Sequence, residues 1–186
     1  MEHGFVKVAA AIPSVRVADC IYNAAQLKEL IQKASEAGVQ LIAFPELSIT
    51  SYSCLDLFSG KLLLDQAEKT LLDLVHSTRD LQVLTVVGIP LRTENRLINA
   101  AVVFQQGHIL GVVPKTYLPN YKEFQEQRWF TSAGDLQHDT IRIGNSNYPM
   151  GSHLLFESGS ISVGIELCED LWVPVPPSSL LAMQGA

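Results

Sequence analysis

A glutamate, a lysine and a cysteine each follow directly on an apolar run. Glu46 comes after residues 39–44 and Pro45, Lys115 after residues 108–113 and Pro114, and Cys168 after residues 161–167. Short apolar runs bounded by prolines and polar residues read as buried strands. In open α/β sheets, reacting groups gather outside the carboxyl ends of strands. A base, a cation and a thiol at three such ends can converge, and together they have a defined chemistry. A thiol with an ordinary pKa of about 8.5 is mostly protonated at neutral pH. A neighbouring carboxylate can take its proton as sulfur attacks a carbonyl carbon. The tetrahedral oxyanion then needs a positive charge and N–H donors. Glu46 suits the base and Lys115 the cation, helped by a backbone N–H after the nucleophile Cys168. Ammonia would leave, and water would cleave the resulting thioester.

The rest of the chain supplies elements to hold these groups. Residues 5–12 form an apolar run ending at Pro13 and read as a buried strand. Asp19 can cap a helix carrying Ala24, Leu27, Leu30, Ile31 and Ala34, with Gly38 as its stop. Residues 39–44 read as a second buried strand, followed by a polar loop from Glu46 to about Asp56. Leu62, Leu63, Ala67, Leu71, Leu74 and Val75 have helical spacing. Residues 83–89 read as a third strand, and residues 99–104 and 108–113 as a hairpin around Gln105-Gln106-Gly107. Residues 115–135 form a long polar and aromatic loop, of the kind that carries function inside a compact domain. Further strands are expected at residues 141–143, 154–156 and 161–167, and Ser178 can cap a final helix after the prolines at 174, 176 and 177. This order predicts an α/β sheet with antiparallel additions. The last helix begins shortly before residue 186, so the domain is expected to be incomplete at its C-terminus.

Three stretches carry a family resemblance. Phe44-Pro45-Glu46-Leu47, Pro114-Lys115-Thr116-Tyr117-Leu118-Pro119-Asn120-Tyr121 and Glu166-Leu167-Cys168-Glu169-Asp170-Leu171-Trp172 resemble the three catalytic motifs of the nitrilase superfamily of carbon-nitrogen hydrolases, in the family's order. The resemblance implies a Glu46-Lys115-Cys168 triad. It also implies a four-layer α-β-β-α sandwich that pairs across subunits. Glu123-Phe124-Gln125-Glu126-Gln127-Arg128-Trp129-Phe130 resembles the stretch holding the family's second glutamate. By that match Glu126 orients Lys115 and the substrate, with Glu123 and Glu169 as competitors for the role. Tyr52, Tyr121 and Phe130 match pocket positions, although residues such as Phe130, Trp129 and Trp172 more often serve packing than substrate contact. Cys-Glu-Asp-Leu-Trp followed by Pro174 and Pro176-Pro177-Ser178-Ser179 is similar to the glutaminase domains of glutamine-dependent NAD synthetases. That branch implies glutamine as substrate, whose α-ammonium Glu169 could bind. It implies a glutaminase domain over residues 1–186, supplying ammonia to an ATP-dependent synthetase domain that these residues lack. The glutaminase step then needs no cofactor, and ATP and Mg belong to the synthetase domain alone. Two rivals stand beside this reading: a free-standing nitrilase or ω-amidase acting on another small amide, and an inactive fragment with an interaction role.

Bulk properties narrow the field. Of 186 residues, 47% are hydrophobic and 17% charged, which suits one globular domain with a sizeable core. A net charge of -6 argues against a nucleic-acid footprint. No apolar stretch reaches the length of a membrane span, and the first residues lack a signal-peptide pattern. Three widely spaced cysteines without that pattern fit reduced thiols and a cytoplasmic location. Cys20 and Cys54 lack motif context and read as structural. The five histidines show no metal spacing, and the acids Glu166, Glu169 and Asp170 lack the pattern of a calcium loop, so no metal site is expected.

Overall fold

A computed structural model describes residues 4–158 and 161–186. His3, among the histidines read as non-ligating, lies outside the described residues. The main sheet has five strands in the order β1 (Val8–Ala10), β2 (Leu41–Ala43), β3 (Leu84–Thr93), β4 (Arg96–Gln105) and β5 (His108–Pro114). β1, β2 and β3 run parallel, while β4 and β5 are antiparallel additions. Helices α1 (Cys20–Glu36) and α2 (Lys61–Ser77) supply the crossovers that parallel pairing requires.

Both helices lie on one face of the sheet. Cys20, Ala24, Leu27, Ile31 and Ala34 form the buried stripe of α1, and Leu63, Ala67, Leu71 and Leu74 that of α2. These stripes share a core with Ile42, Val87, Ile89 and Val102. The Asp19 carboxylate caps α1 by accepting from the Tyr22 N–H at 3.1 Å. On the other face, Leu84, Val86, Ala101, Val103 and Val113 pack against Phe156 and Leu167. Phe156 belongs to a separate ribbon of β8 (Leu155–Ser158) and β9 (Ile161–Gly164). A third helix, α3 (Pro177–Met183), packs on β9, where Leu181 approaches Gly164 so closely that a Cβ there would lie 2.8 Å from it. The layers thus run helix, sheet, ribbon, helix, as the α-β-β-α expectation has it. A further ribbon, β6 (Thr140–Ile143) with β7 (Ser146–Pro149), extends beside β5.

The structure corrects several boundaries. Residues 5–12 are not a buried strand. Only Val8–Ala10 pair, at the sheet edge, and Phe5, Val8 and Ile12 are 82%, 63% and 87% exposed. An apolar run does not reveal whether one face or both will be covered. The strand expected at residues 161–167 ends at Gly164, because the Leu167 N–H goes to the Asp170 carboxylate at 3.1 Å and not to a neighbouring strand. Ser178 is inside α3 and does not cap it. Pro177 takes the first helical position, where its missing N–H costs nothing, and the Ser178 N–H donates to Glu166 at 2.9 Å. The polar loop after Glu46 contains a 3-10 segment, Tyr52–Ser59. The β4–β5 turn is as expected: Gln106 and Gly107 both have positive φ, matching a two-residue hairpin loop. The β3–β4 hairpin escaped the reading, since Glu94-Asn95 carries no strong turn signal; β7 escaped it too, although the Gly144-Asn145 pair that joins it to β6 is a hairpin-turn signal.

Gly88, in the middle of β3, seats the loop that carries Glu46. Its carbonyl accepts from the Ile49 N–H at 3.1 Å and its N–H donates to Ser48 Oγ at 3.2 Å. A Cβ on Gly88 would stand 2.2 Å from the Leu47 nitrogen and 2.7 Å from the Glu46 carbonyl carbon. Backbone must therefore move in a Gly88→Ala variant. We expect a melting temperature lower by roughly 4–10 °C in thermal unfolding. An unchanged melting temperature would show that this loop is not packed as described.

Candidate active site

Glu46 leaves β2 on a turn with Leu47 at φ +52°, a left-handed conformation that is strained for leucine. The turn aims its side chain at Lys115. Lys115 follows β5, and its side chain is fully buried. Its Nζ donates to Glu46 Oε1 and to Glu126 Oε1, both at 2.7 Å. Glu126 opens a 3-10 turn, Glu126–Arg128, in the long loop, and it is 1% exposed. The Tyr52 hydroxyl donates to the same Glu126 oxygen at 2.7 Å. Glu126 and not Glu123 therefore meets Lys115; Glu123 is exposed.

Two carboxylates around one ammonium leave a net negative charge in a buried place. Burial alone would lower the lysine pKa, but the Glu46 charge and the hydrogen bonds the lysine donates to both carboxylates outweigh it, so Lys115 is held above the ordinary lysine value. Glu126 is pushed up by burial and by the like charge of Glu46, against the pull of Lys115 and Tyr52. Burial, together with its bond to Glu126, also raises Tyr52 and keeps it a neutral donor.

Cys168 is exposed and sits at φ +46° at the start of a 3-10 segment, Cys168–Trp172. It shares with Glu46, Phe44, Gly88 and Ala101 the lining of a cavity of about 450 Å³ between sheet and ribbon. Burial and the Glu46 charge raise its pKa, and Lys115 only partly offsets them. At neutral pH the group is a thiol. The arrangement suits a nucleophile that loses its proton during attack and not one ionised beforehand. A larger cavity of about 910 Å³ lies alongside and includes Tyr121, Phe130 and Glu169, but not the thiol. Tyr121 donates to Glu169 at 2.9 Å on its rim. Phe130 is 5% exposed and packs on Phe58 with ring centroids 5.0 Å apart, so most of it belongs to the core. Trp129 joins that aromatic cluster, and Trp172 is exposed.

Two buried polar residues of the site went unread in the sequence. Asn99 lies in β4 and donates from Nδ2 to Glu46 Oε1 at 2.6 Å. A polar residue inside the apolar stretch Ile98-Asn99-Ala100-Ala101-Val102 was its available signal. Asp170, considered only as a metal ligand, is a clamp. Its carboxylate accepts from Tyr117 N–H at 2.7 Å, Thr116 N–H at 3.1 Å and Leu167 N–H at 3.1 Å. One side chain thus binds the turn that carries Cys168 to the backbone that follows Lys115. At the surface, Asp56 accepts from Arg128 Nε at 2.7 Å and Trp129 Nε1 at 2.9 Å, tying the Tyr52 segment to the Glu126 segment. Those bonds hold the Asp56 carboxyl down at about 2. Cys20 and Cys54 are buried away from this network. Among the described residues, no three His, Cys, Asp or Glu side chains cluster as metal ligands, and no helix is long and apolar enough to cross a membrane.

Two tests follow from this geometry. Glu46→Gln removes the charge that raises the Cys168 pKa but also removes the base. Alkylation by iodoacetamide should therefore reach its midpoint at lower pH than in the parent protein, while amide hydrolysis falls by about 10² or more. An unmoved midpoint would separate Glu46 from Cys168. Asp170→Asn presents an NH2 group to backbone N–H donors. We expect a loss of about 2–4 kcal/mol in denaturant unfolding, since hydrogen bonds to a charged acceptor are removed in a buried place.

The chain has counterparts among known proteins. A family model described as carbon-nitrogen hydrolase matches residues 7–186. The chain is 43% identical over 188 residues to the glutamine-dependent NAD(+) synthetase of Mycobacterium bovis, covering 100% of this chain and 28% of that protein. It is 32% identical over 170 residues to the synthetase of the same name from Aquifex aeolicus, covering 91% of this chain and 27% of that protein. The crystal structure of a glutamine-dependent NAD(+) synthetase from Cytophaga hutchinsonii superposes with a TM-score of 0.81 at 26% identity, over 88% of this chain and 28% of that one. An amidase from Nesterenkonia sp. shares the fold, with a TM-score of 0.73 at 19% identity over 97% of this chain and 62% of that one. The chain thus spans little more than a quarter of the curated relatives it matches. Sequence motifs, layer order and the family match over residues 7–186 lead to one assignment: the chain belongs to the carbon-nitrogen hydrolase family.

Proposed function

We propose that this chain is the glutaminase part of a glutamine-dependent NAD synthetase, releasing ammonia for the ATP-dependent amidation of deamido-NAD. The observation that carries the hydrolytic reading is the buried Lys115, held by Glu46 and Glu126 beside a cavity that Cys168 also lines. The choice of glutamine rests on the 43% identity to the Mycobacterium bovis synthetase.

The reaction runs as follows. Cys168 Sγ adds to the side-chain amide carbon, and its proton passes to Glu46. The carbonyl electron pair moves onto oxygen, where the Lys115 ammonium offsets the charge with help from the N–H after Cys168. The oxyanion collapses, the C–N bond breaks, and Glu46 returns the proton to the departing ammonia. A thioester remains. Water adds to it with Glu46 again as base, releasing glutamate and restoring the thiol. Glu126 keeps Lys115 in place, and Tyr52 fixes Glu126. Glu169, with Tyr121 as its partner, accepts the α-ammonium of glutamine at the rim of the larger cavity. No step draws on a cofactor. We assign ATP and Mg2+ to the synthetase domain of the longer protein, and these residues contain no Gly-x-x-x-x-Gly-Lys loop to hold them.

The test is Cys168→Ala in the full-length enzyme. Glutamine-driven NAD synthesis should be lost, and synthesis driven by added ammonia should continue at its normal rate. Retained use of glutamine would overturn the proposal.

A further inference from the structure

Glu46 has two oxygens, and the structure treats them differently. Oε1 accepts from Lys115 Nζ at 2.7 Å and from Asn99 Nδ2 at 2.6 Å. Among the described residues no donor is bonded to Oε2. The carboxylate remains 17% exposed and lines the cavity that holds Cys168. Asn99 itself is fully buried in β4. Its backbone carbonyl accepts from the Lys115 N–H at 2.8 Å, so one residue grips the lysine by its main chain and the glutamate by its side chain.

Asparagine is an expensive choice at such a position. Its Oδ1 is buried and has no partner among the described residues. A buried acceptor without a donor destabilises the fold, and a valine or leucine would suit the strand better. The orientation is dictated by chemistry, because only the NH2 end can face a carboxylate. A neutral donor also differs from a second cation. It fixes the carboxylate without adding a charge beside it.

Building on the glutaminase reading above, we infer that Asn99 is a positioning residue: it occupies Oε1 of Glu46 and so leaves Oε2 as the atom that takes the Cys168 proton. The titratable groups around Glu46 are Lys115, Glu126, Tyr52 and Cys168. None of them supplies a neutral donor to Oε1.

Two variants test this. Asn99→Leu keeps the branched outline of four side-chain heavy atoms and removes the donor. Asn99→Asp keeps a donor only while the new carboxyl holds a proton. In Asn99→Leu, kcat for glutamine hydrolysis should fall about 100-fold with KM little changed, as expected when a reacting group is misplaced. Asn99→Asp should keep activity at the acidic end of its profile and lose it as pH rises through the new group's ionisation. A purely structural role would lower the melting temperature and leave kcat and the pH profile in place. A second readout does not depend on turnover: 13C NMR of glutamate-labelled protein, with the Glu46 resonance assigned by its loss in Glu46→Gln. Its side-chain carboxylate shift at neutral pH should differ in Asn99→Leu, because the hydrogen bond to Oε1 has gone. If the parent protein fails to hydrolyse glutamine, the functional reading falls, and the NMR shift still decides the role of Asn99. If both the NMR shift and the kcat of Asn99→Leu coincide with the parent's, the inference is overturned even with the glutaminase activity intact.

Discussion

A fully buried ammonium is the constraint around which this molecule is arranged. Removing an ion from water costs several kcal/mol even after the protein relaxes, so Lys115 must meet carboxylates wherever the fold buries it. It meets two, and they come from opposite ends of the architecture. Glu46 lies 69 residues away at the end of a parallel strand, and Glu126 lies 11 residues on in an irregular loop. The sheet brings the first into range, and the loop must fold back to deliver the second. The excess negative charge that results falls on groups near the cavity. Burial and this charge together raise Glu126 and the Cys168 thiol. The same arrangement that solves the lysine's desolvation thus strengthens the cysteine's need for a base.

The surroundings hold this network by short, specific contacts. Gly88 lets the Glu46 loop lie directly on β3. Asp170 binds the cysteine turn to the backbone after Lys115 through N–H donors from both segments. Backbone strain is part of the arrangement: Leu47, Ser51 and Cys168 are three of the eight non-glycine residues with positive φ among the described residues. Conformations of that kind persist only where neighbouring contacts over-determine them. Here the contacts are the Gly88 seat and the Asp170 clamp.

Much of this was legible in advance, and the limits of that legibility have physical causes. The helical stripes of α1 and α2 were readable because a 3.6-residue period is written into the order of apolar residues. The strand ends that carry Glu46 and Lys115 were readable because prolines close both runs. The end of β9 was not, since Ile165 and Leu167 continue the apolar alternation and only the capture of the Leu167 N–H by Asp170 stops the pairing. The exposure of β1 was likewise hidden, because apolar residues look the same whether or not another layer covers them. Asn99 and Asp170 act through partners tens of residues away, and no local pattern records such partners.

By itself the sequence determined the chemical inventory: a thiol, a base and a cation, each at the end of an apolar run, within motifs that resemble one hydrolase family. It determined the alternation of strands and helices too, since both follow from local periodicity. Only the tertiary structure decided which of the acids meets Lys115, which oxygen of Glu46 is occupied, and that the surroundings of the cysteine push its pKa up and not down. Those outcomes depend on burial and on distances of a few ångströms between residues far apart in the chain, where electrostatic interactions are strong and sequence spacing carries no information.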